Sequence, residues 1–65
     1  MTTPLPILVN GILALSPPRS RVEWVQSGQR WRCVVRREDG TRDQAQGRTG
    51  YAATDALLEK LWGSP

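Results

Sequence analysis

The sequence predicts an α+β domain: a three-stranded antiparallel sheet with one C-terminal amphipathic helix packed on one face, preceded by an apolar N-terminal hairpin or strand. Three observations lead there. Residues 29–37 alternate apolar and charged side chains, Ser27-Gly28 and Asp39-Gly40 punctuate the strands, and the last apolar positions recur at helical spacing.

The N-terminal block, Thr2–Leu15, carries no charge. Within it Ile7-Leu8-Val9 and Ile12-Leu13-Ala14-Leu15 flank Asn10-Gly11, a pair that accepts the positive φ values of a type I′ turn. A short β-hairpin is the expected structure, with one strand kinked at Gly11 as its rival. The block is too apolar to lie in water, so it covers the domain's own core or forms a contact surface. Ser16-Pro17-Pro18-Arg19-Ser20 then acts as a breaker and linker, dividing the chain into residues 1–20 and a β-β-β-α domain over 21–65.

From Arg21 the pattern becomes charged and alternating. A first strand, Arg21–Gln26, places Val22 and Trp24 on one face. A second, Gln29–Arg37, places Trp31, Cys33 and Val35 inward and Arg30, Arg32, Val34 and Arg36 outward. The third, Thr41–Gln46, is polar, as suits an edge or an extended return. Thr49 offers a hydroxyl to cap a helix. Along that helix Tyr51, Ala53, Leu57, Leu58, Leu61 and Trp62 share about half of the wheel, opposite Asp55, Glu59 and Lys60. Gly63 and Pro65 stop it.

Composition excludes more than it selects. Sixty-five residues form one thin core. With a single cysteine and no histidine there is no intrachain disulfide, no Cys/His zinc site and no histidine for acid–base work. Cys33, mid-strand between Trp31 and Val35, reads as an inert core thiol, and Gly47-Arg48-Thr49-Gly50 as a helix lead-in rather than a phosphate loop. The chain therefore reads as a binding module, not an enzyme, with no cofactor. A free thiol and the lack of an export signal point to the cytoplasm. The apolar block is too short and too broken to span a bilayer, and it has no basic residue to engage anionic lipid.

Nine basic residues against six acidic ones give a net charge of +3, and eight of the nine are arginine. Guanidinium groups match phosphate and guanine bidentately. On an outward strand face Arg30, Arg32 and Arg36, joined by Arg21 and Arg42 from neighbouring strands, stand about 7 Å apart along each strand. That is close to the separation of successive phosphates. Nucleic acid, DNA before RNA, is the expected partner of this face, with Glu23 and Asp43 falling on or near it. Trp24 and Trp31 are expected in the core, and Tyr51 at the rim with its hydroxyl in water. The alternative is a protein-interaction module, such as a phage-type inhibitor, adaptor or subunit, using Ile7, Val9, Ile12, Leu13 and Leu15.

The string Gln-Arg-Trp-Arg-Cys-Val-Val-Arg-Arg-Glu-Asp-Gly-Thr-Arg from Gln29, with Gly47, Thr49 and Ala53 after it, resembles the arm-binding domains of phage integrases over residues 22–62. The plant ethylene-response-factor domain is similar. The resemblance implies a three-stranded sheet in the DNA major groove with the helix behind it. Arg30, Arg32, Arg36 and Arg42 then lie on DNA, and Trp31 in the core. The third strand departs from the pattern, carrying Asp43, Gln44, Ala45 and Gln46 where integrase arms are more basic. A looser similarity is to the double-stranded-RNA-binding domain, which carries a lysine pair where Gly50 and Tyr51 stand here.

Overall fold

The computed structural model describes residues 3–16 and 18–63. Pro17 of the expected linker and the stop at Pro65 lie outside the described residues. The order is α1 (Leu5–Ala14), β1 (Arg21–Ser27), β2 (Arg30–Arg36), β3 (Arg42–Gly47) and α2 (Gly50–Gly63). The strands form one antiparallel sheet in the order β1-β2-β3, with β2 central.

The N-terminal block is a helix, not a hairpin. Pro4 is extended at the N-cap, and Pro6 falls in the first turn, where a missing N–H costs no helical bond. One turn apart, Leu8 and Ile12 are both buried, and Ile12 joins Cys33, Val35, Ala53 and Leu57 in the core. Burial of that stripe outweighs the turn preference of Asn10-Gly11. Gly11 has a packing role instead: a Cβ there would stand 3.1 Å from Leu58 Cδ1, so its absence lets α1 approach α2. Ser16 closes the helix by donating its hydroxyl to the Ile12 carbonyl at 2.7 Å. Ile12 lies in the same core as the sheet, so α1 covers the core of the β-β-β-α unit.

The strands keep the expected phase. Cys33 and Val35 are fully buried and Trp31 packs partly buried against them. Two connections set the register. Gly28, with φ +63°, opens a two-residue turn that pairs Ser27 with Arg30. Glu38-Asp39-Gly40, with Gly40 at φ +90°, makes the second, closed by Arg37 N–H donating to the Thr41 carbonyl at 2.9 Å. Asp39 braces this loop by accepting from the Thr41 N–H at 2.9 Å and its hydroxyl at 2.6 Å. Those bonds, the hydroxyl's first, hold the Asp39 carboxyl below its usual range.

Helix α2 starts as the cap predicts, Thr49 Oγ1 accepting from the Ala52 N–H at 3.0 Å. It leaves β3 so abruptly that a Cβ on Gly47 would lie 2.5 Å from the Ala53 nitrogen. Ala53, Thr54 and Leu57 form its buried face. Thr54, a polar residue absent from the expected stripe, is buried because both its hydrogen-bonding capacities are used. It donates to the Gly50 carbonyl at 2.7 Å and accepts from the Trp24 indole N–H at 2.8 Å.

Trp24 and the Tyr51 hydroxyl depart from the expectation. Trp24 faces inward but is 38% exposed, because β1 is the edge strand that the helices cover least. Trp62, at the end of the apolar stripe, is 77% exposed. The Tyr51 hydroxyl is not left to water: it donates to the Thr3 carbonyl, tying the N-terminus to α2.

Candidate nucleic-acid interface

Both helices lie on the inner face of the sheet, the side of Cys33 and Val35, leaving the other face to solvent. The register fixes what that outer face presents. Arg36 is opposite Arg21 on one side and Arg42 on the other, so three arginines form a row straight across the sheet. The next outward row is Glu23, Val34 and Gln44, followed by Val25, Arg32 and Gln46, then Ser27 and Arg30 at the turn. All five arginines singled out from the sequence, Arg21, Arg30, Arg32, Arg36 and Arg42, therefore fall on one face.

Their electrostatic setting is one-sided. Adjacent strands lie about 4.8 Å apart, and like charges directly opposite oppose pairing. The row holds three of them. Glu23 is the one carboxylate on the outer face of the strands, and it meets Arg36 at 3.3 Å, both side chains about half exposed. Asp43, expected on or near this face, lies on the inner one, paired in register with Val35. There it bonds to Arg37 and lies 4.0 Å from Lys60, linking the second loop and α2 to β3. Its departure leaves five guanidinium groups facing one carboxylate.

Two details were not legible in the sequence. Val34 points outward yet is only 6% exposed. Glu23 and Gln44 stand opposite it, and Arg32 and Arg36 flank it on β2, so long side chains roof it with their stems. The Nε of Arg32 is buried with no acceptor among the described residues. Arg32 also lines a small pocket of about 80 Å³, with Ser27, Arg30, Trp31 and Gln46. An unpaired buried N–H carries a desolvation cost that an incoming oxygen acceptor would relieve. At the opposite end of β2, the arginine row borders a concavity of about 340 Å³ lined by Arg36, Arg37, Gly40, Thr41 and Arg42.

The alternative interface residues divide. Ile7, Leu13 and Leu15 are exposed and Val9 is half-buried. Ile12 is fully buried in the chain's own core, where α1 needs it, and so offers no surface to a partner. Cys33 is sealed within the same core, where burial pushes its thiol pKa up, against the opposing pull of a Thr54 hydrogen bond. Among the described residues no cluster of acidic or cysteine side chains has the makings of a metal site, and no helix is long and apolar enough to cross a membrane.

No protein-family model, no curated protein and no solved structure matches this chain.

Proposed function

We propose that this chain is a small non-catalytic nucleic-acid-binding protein that lays the outer face of its sheet along DNA. The observation that carries the reading is the row Arg21-Arg36-Arg42, continued by Arg32 and Arg30, with Glu23 as the lone carboxylate among them. A fold gains nothing from three like charges on one row. A polyanion converts that repulsion into attraction and releases its counterions. Dimensions agree: the outer strands are about 10 Å apart, comparable with the roughly 12 Å width of the major groove. The resemblance to integrase arm-binding and ethylene-response-factor domains supports the same docking. The helical side is a poorer match to phosphate, since α1 has no charge and α2 presents Asp55 and Glu59 beside Lys60.

The test is a titration of labelled duplex DNA at several salt concentrations, beside a single strand and an RNA duplex. Sheet binding predicts that affinity falls with salt, with a log–log slope of about −0.9 for each phosphate neutralised on a duplex. An absence of binding at low salt removes the reading. Preference for either RNA or single strands redirects it to that ligand.

A further inference from the structure

The side of the molecule opposite the arginine face carries a second, chemically different surface. Helices α1 and α2 meet closely where Gly11 faces Leu58, and a groove of about 510 Å³ opens between them. Ile7, Ala14 and Leu15 form one wall, and Leu58 and Trp62 the other. Trp62 is 77% exposed and Ile7 57% exposed. A helix apolar on all sides is ordinarily covered on all sides, yet α1 buries only Leu8 and Ile12. Asp55 and Glu59, one turn apart on α2, complete the lining, and neither has an ion-pair partner among the described residues.

We infer that this groove docks an amphipathic helix of a protein partner, with an apolar stripe for the Ile7–Trp62 channel and Lys or Arg residues one turn apart for Asp55 and Glu59. Charge decides the occupant. A second copy packed groove to groove would bring two sets of unpaired carboxylates to one seam, and α1 has no cation to answer them. Anionic lipid and nucleic acid are repelled by the same two carboxylates. A basic amphipathic helix satisfies both features, in the helix-in-groove mode that reads anchors at i, i+3, i+4 and i+7. The inference goes beyond nucleic-acid binding, uses none of the five sheet arginines, and stands or falls apart from it.

The experiment is calorimetric titration of the full chain with two designed helical peptides of equal length. They share one leucine stripe and differ only in flanking lysines or flanking glutamates. The lysine peptide is expected to bind about tenfold more tightly than its twin, the combined effect of two exposed ion pairs. The doubly substituted D55K/E59K chain, altered only at exposed positions, should reverse the order. Trp62→Ala should weaken the lysine peptide by about tenfold, as loss of an aromatic anchor does. Circular dichroism of each variant confirms that the fold is kept. Equal affinity for both peptides, no binding of either, or an unchanged preference in D55K/E59K would overturn the inference. So would a concentration-dependent dimer in sedimentation that the lysine peptide fails to dissociate.

Discussion

Trp24 donates its indole N–H to Thr54 Oγ1 at 2.8 Å, joining the least-covered strand to the fully buried face of α2. The bond explains how an edge strand with a half-exposed tryptophan holds its place, and why a threonine occupies the core. Replacing Thr54 by Val keeps the volume and removes the acceptor. The expected loss is about 1–2 kcal/mol, since the bond accepted from Trp24 and the one donated to the Gly50 carbonyl both go. Chemical denaturation should show it as a lower midpoint with an unchanged slope. Full stability in T54V would show that packing alone seats Trp24.

Of the glycines, Gly47 makes the closest approach to neighbouring backbone, against Ala52 and Ala53. A Cβ there meets backbone atoms rather than a movable side chain, so β3 and α2 must separate. G47A is expected to lose roughly 2–3 kcal/mol, the cost of forcing an extra carbon into a packed site. For a domain of this size that lowers the melting temperature by more than 8 °C. Gly28 is a useful contrast. Its Cβ would meet nothing within 4 Å, and the cost of G28A comes only from the positive φ.

The Cys33 thiol is raised above its ordinary value of 9.0 by burial. The folded state therefore keeps its proton longer than the unfolded chain does. The associated stability is complete below pH 9.0 and is lost as pH rises beyond it. Reaction with a disulfide reagent at pH 8 should be slow in the folded chain and should accelerate in step with unfolding by denaturant. Rapid labelling under native conditions would contradict a sealed core.

Much of this was legible from the sequence because period-two alternation is hard to disguise. Trp31, Cys33 and Val35 assigned their own face, and the arginines between them followed onto the other. The N-terminal helix was not legible. With apolar residues on every side, its stripe Leu8–Ile12 has no polar background to stand against, and Asn10-Gly11 carries the local signal of a turn. The alignment of Arg21 and Arg42 on Arg36 was also hidden. It depends on the register that the two connecting loops impose, as does the inward position of Asp43. Helical periodicity gives the direction of Trp62, but not that α1 stops short of covering it.

Glu23 is the one carboxylate within the strands' arginine face, paired with Arg36 at 3.3 Å. Glu23→Gln removes the one carboxylate there and preserves the shape. Binding to duplex DNA should tighten by about threefold to tenfold at low salt, while stability falls by less than about 1 kcal/mol because the pair is exposed. Equal affinities in a parallel filter or anisotropy titration would mean that the ligand does not lie over Glu23.

The most direct measurement compares salt dependence in the native chain and in the double variant R21Q/R42Q, with R19Q/R48Q, which leaves the five face arginines intact, as the control. If the outer row lies on phosphates, R21Q/R42Q should bind duplex DNA more weakly and with a log–log slope shallower by about 1.8, two phosphates at about 0.9 each. The control should keep the native slope. Equal slopes in R21Q/R42Q and the native chain would show that this face is merely solvated, and would contradict the account.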